Sequence, residues 1–238
     1  MAGAVGRVLA DAGIPCAVED GLCCGLTWVS TGQLATARRI MTRTVNHLDD
    51  GDDRPIVVAE PSCAAALRHD VPKLLDTDAA RRVAARVRTL TGALTDLARP
   101  DWAPPPLPDS VALQTHCHEY ATFQGSRPRD LLRRLGVGTV DEAEGCCGLA
   151  GNFGFEAQHY DTSMAVAALA LKPRLDAVDE AAPTVVVADG FSCATQIDHL
   201  AKGRDIRAVH LAELLDPASR RSAHTRAPEH GRPKSDAF

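Results

Sequence analysis

The sequence predicts an α/β protein made of two tandem, related modules, in which small parallel sheets are flanked by helices. Two observations lead to this fold class. First, Cys-Cys-Gly-Leu occurs at residues 23–26 and 146–149, and Ser-Cys-Ala occurs at residues 62–64 and 192–194. The offset is 123 residues for the first motif and 130 for the second, which indicates a duplication. Second, apolar strand-like runs alternate with helix-like runs in both copies, as in βαβ units of a parallel sheet.

The elements of each copy follow one another in the same order. A continuous apolar run is expected to be a strand buried on both faces, and a helix follows it at the Ser-Cys-Ala motif. A short second strand and a second helix complete the copy. These four elements are predicted at residues 55–59, 64–75, 87–90 and 91–97 in the first copy, and at residues 184–188, 195–202, 206–209 and 210–215 in the second.

The second copy has an additional opening strand at residues 111–115, which ends at His116-Cys117-His118. Cys117 precedes Cys146 by 29 residues, so the matching position of the first copy would be numbered below 1. The first module is therefore expected to be truncated, because it lacks both the opening strand and the cysteine that follows it. We expect the chain to be the C-terminal part of a longer architecture, or a subunit that a partner completes.

Four regions are expected along the chain. The first module covers residues 1–98 and the second module covers residues 110–215. Between them, residues 99–109 hold five of the 15 prolines and are predicted to form a stiff, extended linker. Residues 216–238 are rich in Pro, Arg, His and Ser, and we expect this tail to be disordered because it has little apolar surface to bury.

The composition excludes several classes of protein. A formal net charge of −5 gives no electrostatic reason for nucleic-acid binding. No apolar stretch is long enough to span a bilayer or to resemble a signal peptide, so we expect a cytoplasmic protein with at most peripheral membrane association. In that compartment, eight cysteines are better explained by metal binding or redox chemistry than by structural disulfides.

The cysteines of the second module follow the ends of its strands. Cys117, Cys146, Cys147 and Cys193 each stand where a strand is expected to end and a loop or helix to begin. Because such positions meet at one edge of a parallel sheet, four thiolates there could bind a [4Fe–4S] cluster or a Zn²⁺ ion. Neighbouring side chains point apart, so the adjacent pair suits separate irons of a cluster better than one small ion.

Other interpretations of these residues stay open at the level of sequence. The cysteines could be inert side chains of an Ala- and Val-rich core, and this interpretation applies to Cys16, whose counterpart is Thr139. They could also form a redox-active dithiol. His116 and His118 are most simply loop histidines, although His118 could donate to a cluster sulfur or replace a thiolate.

The assembled motifs resemble the cysteine-rich CCG domain family. Residues 144–156 and 189–196, which contain Cys-Cys-Gly-Leu-Ala-Gly-Asn-Phe-Gly and Ser-Cys-Ala-Thr-Gln, are similar to motifs of that family. Its domains occur in heterodisulfide reductase and in the iron–sulfur subunits of glycolate oxidase, lactate-utilisation proteins and anaerobic glycerol-3-phosphate dehydrogenase. They also form the C-terminal iron–sulfur region of FAD-linked D-2-hydroxyacid (D-lactate-type) dehydrogenases.

The resemblance implies which cysteines bind the metal. It carries two sets over as iron–sulfur cluster ligands, namely Cys117, Cys146, Cys147 and Cys193 in the second module and Cys23, Cys24 and Cys63 in the first. The first set is incomplete unless Cys16 or a partner protein supplies a ligand. The sequence also departs from heterodisulfide reductase, because neither Cys63 nor Cys193 begins a C-x-x-C motif.

By this resemblance, the chain is expected to be an iron–sulfur electron-transfer module or subunit of an oxidoreductase. It would pass electrons from an FAD-linked 2-hydroxyacid dehydrogenase of the lactate, glycolate or glycerol-3-phosphate type to a quinone or another acceptor. FAD would belong to the partner or to a missing domain, so the chain is not expected to oxidise a substrate alone. The alternatives are a heterodisulfide or thiol–disulfide reductase module and an assembly domain stabilised by Zn²⁺.

Overall fold

The computed structural model describes residues 2–124, 127–179 and 184–219 of the 238-residue chain. Within these ranges, parallel strands form two separate small sheets, and helices flank both of them. The predicted α/β class with small parallel sheets flanked by helices is therefore confirmed. The strands are β1 (Ile56–Val58), β2 (Val87–Thr89), β3 (Ser110–Leu113), β4 (Thr139–Glu142), β5 (Thr184–Val187) and β6 (Ala208–Val209).

The helices occupy most of the remaining described residues, and helices lie between successive strands, as βαβ units require. A π-helical turn (Ala66–Asp70) joins two of them, and two 3₁₀ turns (Phe153–Phe155 and Ala157–His159) lie in the second module. The helices are α1 (Ala2–Asp11), α2 (Leu26–Ser30), α3 (Leu34–Leu48), α4 (Pro61–Ala65), α5 (Val71–Leu75), α6 (Asp78–Arg86), α7 (Leu90–Leu97), α8 (Cys117–Phe123), α9 (Arg127–Arg134), α10 (Tyr160–Ala167), α11 (Leu171–Asp176), α12 (Phe191–Leu200) and α13 (Leu211–Leu214).

The sheet of the second module has the strand order β4-β3-β5-β6. Its register is the feature that positions the site. Leu113 of β3 pairs with Glu142 of β4 and with Val187 of β5, and Val187 pairs with Val209 of β6. Because all pairs are parallel, the four carboxyl ends lie at one level along one edge of the sheet.

The strands and helices predicted for the repeated pattern are present, with strands one to two residues shorter than expected. The helix after the first Ser-Cys-Ala motif is interrupted by the π-helical turn, so it is not one continuous α-helix. The sequence did not give the bounds of β4. Its residues, Thr-Val-Asp-Glu, are too polar and too few to stand out as a strand.

One hydrophobic core joins the two modules. Helices α1 and α7 come from the first module, and helices α9 and α13 come from the second. Helix α1 packs on α13, and α7 packs on α9. Among the residues that they bury completely or nearly so are Val8, Leu94, Leu131 and Leu211. The predicted module boundaries remain a prediction, but the modules do not have fully separate cores.

The sheet of the first module contains only the counterparts of β5 and β6, because β1 pairs with β2 alone among the described residues. Residues 16–19 occupy the position of β4 at the 123-residue offset, and they form no strand. A strand needs a hydrogen-bonded neighbour, and among the described residues no strand pairs with this segment. Cys16, interpreted above as a core residue, is consequently exposed, so that interpretation is wrong.

The Pro-rich segment and the start of the predicted tail are attached to α1. The indole nitrogen of Trp102 donates to Asp11 Oδ2 at 2.9 Å, and the amide of Arg99 donates to the carbonyl of Ala12 at 3.0 Å. Asp216 forms an ion pair with Arg7, and this interaction lowers the pKa of Asp216. Asp216 therefore belongs to the fold, while residues 220–238 of the predicted tail lie outside the described residues.

Truncating Leu94 should destabilise the protein because its side chain fills the core between the modules. We expect Leu94→Ala to lower the free energy of unfolding by about 2–5 kcal/mol, measured by urea denaturation. The matched control is Leu97→Ala on the same helix, because Leu97 is 41% exposed whereas Leu94 is fully buried. Equal losses in the two variants would contradict the shared core.

Candidate metal centre

The register of the second sheet brings its cysteines to one edge. Cys117 lies four residues after the end of β3, and Cys146 lies four residues after the end of β4. Cys193 lies in the first turn of α12, which follows β5. Because the three strands end at one level, their following residues emerge side by side.

The four predicted cysteines of the second module contact one another. Cys117 and Cys147 both interact with Cys146, and Cys147 also interacts with Cys193. Cys147 and Cys193 are 3% and 1% exposed, whereas Cys117 and Cys146 are half-buried. The group of thiols is therefore closed on one side and accessible on the other.

The thiol contacts favour a negative charge on one sulfur. Interaction with Cys117 and Cys147 lowers the pKa of Cys146, and the amide of Gly148 donates to its Sγ at 3.4 Å. The pKa values of Cys117 and Cys147 are raised, chiefly because each lies beside the Cys146 thiolate. A metal that bound all four sulfurs would displace the remaining protons.

Gly148 is required by the close packing of the Cys-Cys-Gly turn. Its φ is +92°, and a Cβ at this position would lie 2.2 Å from the carbonyl oxygen of Ser163 in α10. Backbone on both sides of this contact prevents relief by a simple rotamer change. In the first module, Gly25 also has a positive φ of +79°, but its nearest neighbour is the flexible side chain of Met41 at 3.0 Å.

The first module brings two of its predicted ligands into direct contact. The Sγ atoms of Cys24 and Cys63 are 3.0 Å apart. Interaction with Cys63 lowers the pKa of Cys24 to about 7, and the same contact raises the pKa of Cys63. Cys23 is exposed, and Cys16 contacts the carbonyl oxygen of Gly6 at 4.0 Å. The predicted ligands of the first module are thus the close pair Cys24 and Cys63 together with Cys23, which adjoins Cys24 in the chain.

The two histidines beside Cys117 differ in their surroundings. His116 is buried, and its Nδ1 accepts the amide of His118 at 3.1 Å, which caps the start of α8. Burial lowers the pKa of His116, so its ring is neutral near pH 7. His118 is exposed. The ring of His116 fills the space beside Gly190, where a Cβ would lie 2.0 Å from His116 Cδ2.

Three polar residues at strand ends were missed by sequence reasoning. Asp189 follows β5 and accepts the amide of Leu211 at 2.7 Å, and burial raises its pKa. His210 follows β6, and its Nε2 lies 3.3 Å from the carbonyl oxygen of Ala59. Glu60 comes shortly after β1 and contacts both modules. Their positions directly after predicted strands were the signal that could have identified them.

The thiol contacts of the second module are pairwise. Within the residues that the structure describes, no three His, Cys, Asp or Glu side chains are arranged to hold one metal ion. The cysteine contacts of the second module instead run from one thiol to the next. In the same ranges, no helix is long and apolar enough to cross a membrane.

Comparison with known proteins identifies the family. The profile of the cysteine-rich domain family, abbreviated CCG, matches residues 2–68 and 111–198, which is more than half of the chain. The chain belongs to the cysteine-rich CCG domain family. The two matched segments lie in the two predicted modules, and the resemblance inferred from the motifs is confirmed. No solved structure matches this chain.

Several curated relatives carry names of dehydrogenase systems. The chain is 27% identical to a subunit of the anaerobic glycerol-3-phosphate dehydrogenase of Escherichia coli K12, over 82% of this chain and 49% of the relative. It is 28% identical to D-2-hydroxyglutarate dehydrogenase of Pseudomonas putida, over 61% of this chain and 14% of the relative. It is 25% identical to lactate utilization protein A of Geobacillus thermodenitrificans, over 83% of this chain and 84% of the relative. The chain therefore spans about half the length of the Escherichia coli relative.

Substitution of Gly148 should disturb the thiol group because the added Cβ would collide with backbone. We expect Gly148→Ala to lower the free energy of unfolding by about 1–3 kcal/mol or more, measured by urea denaturation. It should also lower the iron content after reconstitution. The matched control is Gly151→Ala, since Gly151 has a φ of +68° but no atom within 4 Å of its Cβ position. Equal effects of the two substitutions would show that only backbone conformation matters.

Proposed function

We propose that Cys117, Cys146, Cys147 and Cys193 bind an iron–sulfur cluster, of the [4Fe–4S] type, and that the chain transfers electrons for a dehydrogenase. The observation that carries this proposal is the meeting of four thiols at the carboxyl edge of one sheet. Soft thiolate donors select iron–sulfur clusters or zinc over harder ions. The donor set therefore fits the group that the sequence motifs imply.

The residues around the thiols would hold and tune such a group. Cys147 and Cys193 would anchor it on the buried side, and Cys117 and Cys146 would bind it on the accessible side. The Gly148 amide, which lies 3.4 Å from Cys146 Sγ, would stabilise a thiolate ligand. When bound, the cluster would supply one-electron transfer at a potential set by such hydrogen bonds and by burial.

The relatives support a place in a dehydrogenase system. One relative is named as a subunit of a glycerol-3-phosphate dehydrogenase, and another is a D-2-hydroxyglutarate dehydrogenase that the chain matches over only 14% of its length. We propose that the electrons come from an FAD-linked dehydrogenase of 2-hydroxyacids or glycerol 3-phosphate. In this scheme, FAD lies on a partner or another domain, and the chain alone does not oxidise the substrate.

We further propose that the electrons leave to a quinone or another acceptor. The exchange would take place in the cytoplasm, with at most peripheral contact with a membrane. Cys23, Cys24 and Cys63 are proposed as a second, incomplete ligand set, to which a partner would add a ligand. The close contact of Cys24 and Cys63 supports their joint involvement.

The same contact supports the main alternative. Two thiols 3.0 Å apart, one of which has its pKa lowered to about 7, are suited to thiol–disulfide exchange. The first module would then act as a reductase of disulfides. The other alternative is an assembly domain stabilised by Zn²⁺, which four thiolates could also bind.

Metal analysis tests the proposal. Protein purified without oxygen should contain about four irons and four sulfides per chain, with visible absorbance that bleaches on reduction with dithionite. Cys146→Ser and Cys193→Ser should lose this iron because each removes a thiolate ligand. Cys16→Ser is the matched control, since Cys16 is exposed and is not one of the four cysteines of the second module.

Other results would point elsewhere. Stoichiometric zinc without visible absorbance would overturn the electron-transfer proposal in favour of an assembly domain. Absence of metal, together with a Cys24–Cys63 disulfide that forms and reduces reversibly, would favour the thiol–disulfide alternative. A content of more than four irons that falls in Cys63→Ser would show that the first set also binds a cluster.

A further inference from the structure

We propose that Glu60 of the first module is a positioning residue for the metal centre of the second module. Its carboxylate caps helix α12, which carries Cys193, and thereby fixes this ligand to the first module. The inference rests on the proposed function for its effect on the cluster, but the contact itself concerns the protein alone.

The two carboxylate oxygens of Glu60 are used by different modules. Oε1 accepts the hydroxyl of Ser62 at 2.7 Å and the amide of Ser62 at 3.4 Å, so it caps α4, which carries Cys63. Oε2 accepts the amide of Phe191, the first residue of α12, at 2.9 Å. One side chain therefore accepts a hydrogen bond from an amide at the amino end of each of these cysteine-bearing helices.

Helix α12 needs an acceptor from elsewhere in the fold. The first amides of a helix have no partner within it and are normally satisfied by a side chain at the N-cap. Helices α6, α7, α8 and α13 have such a cap, provided by Thr77, Thr89, His116 and His210. The N-cap of α12 is Gly190, which has no side chain.

A capping side chain cannot be introduced at position 190. A Cβ there would lie 2.0 Å from Cδ2 of His116, whose ring is buried beside it. At the offset of the Ser-Cys-Ala motif, Gly190 is the counterpart of Glu60. The two equivalent N-cap positions thus share one carboxylate, which the first module supplies.

Two more contacts connect the same part of the first module with the second. The carbonyl oxygen of Ala59 lies 3.3 Å from His210 Nε2, and His210 lies beside the buried Asp189. Helix α4 also packs against α8, which begins at Cys117. The end of β1 therefore touches the elements after β3, β5 and β6, so that the first module supports the centre whether or not it binds its own metal.

The charge of Glu60 also acts on a residue beside the centre, His116. The carboxylate interacts electrostatically with Cys24 and Cys63 in one module and with His116 in the other. A negative charge opposes the addition of an electron nearby. Its removal should therefore raise the reduction potential of a cluster bound by Cys193 and its neighbours, an effect that a purely structural role would not produce.

Alkylation of the metal-free protein tests the cap. In Glu60→Ala and Glu60→Gln, Cys193 should react with iodoacetamide faster than in the unmodified chain, on the order of fivefold for loss of one helix cap, as measured by peptide mass spectrometry. Glu60→Gln is informative because the amide of Gln has only one acceptor oxygen, whereas Glu60 uses one oxygen for each of the two helices. Exposed Cys16 is the internal control and should react at an unchanged rate.

The loaded protein tests the charge. The reduction potential of the bound cluster, followed by its visible spectrum, should rise in Glu60→Gln and return toward the original value in Glu60→Asp. Glu156→Gln is the matched control, because it removes an exposed carboxylate elsewhere in the second module and should leave the potential unchanged.

The two arms separate the possible failures. If Cys63 becomes more reactive in Glu60→Ala while Cys193 does not, Glu60 caps only its own helix and the proposal is overturned. If the unmodified chain binds no iron, the proposed function fails, and the alkylation of Cys193 still decides the role of Glu60. An equal shift of potential in Glu60→Gln and Glu156→Gln would overturn the electrostatic part.

Discussion

The parallel, in-register pairing of β3 with β4 and β5 is the constraint on which the site depends. Leu113, Glu142 and Val187 stand opposite one another in the sheet, so the chain leaves all three strands at the same level. Cys117, Cys146 and Cys193 are separated by 29 or more residues of sequence. They therefore become neighbours without a covalent bond between them. The Cys-Cys-Gly turn then fits against α10 only because Gly148 leaves room for the carbonyl oxygen of Ser163.

The modules cooperate through two kinds of contact. Apolar side chains of α1 and α7 share a core with those of α9 and α13, and burial of this apolar surface helps to hold the modules together. Polar contacts then fix the geometry near the thiols, where Glu60 and Ala59 reach Phe191 and His210. The duplicated architecture thus places the ends of β1 and β5 close together and lets one carboxylate serve two helices.

The two cysteine groups differ in composition although they arose from the same motif. The second module joins four thiols, and contact with its neighbours stabilises the thiolate of Cys146. The first module joins Cys24 with Cys63 and leaves Cys23 exposed, because the strand that would carry a further cysteine has no counterpart among the described residues. This difference in the number of converging sulfurs is the physical reason why the proposed electron transfer is placed chiefly in the second module.

The sequence by itself determined the repeated motifs and the alternation of strands and helices, because these depend on local periodicity. It also determined that the four cysteines of the second module meet at one edge of the sheet, because parallel strands end together. The first and last residues of the polar strand β4 could not be predicted from the sequence, since its pairing with β3 rather than its composition makes it a strand. The exposure of Cys16 and the roles of Glu60, Asp189 and His210 also required the tertiary structure. Each depends on a neighbour far away in sequence, such as His116 against Gly190, and no local pattern encodes such a contact.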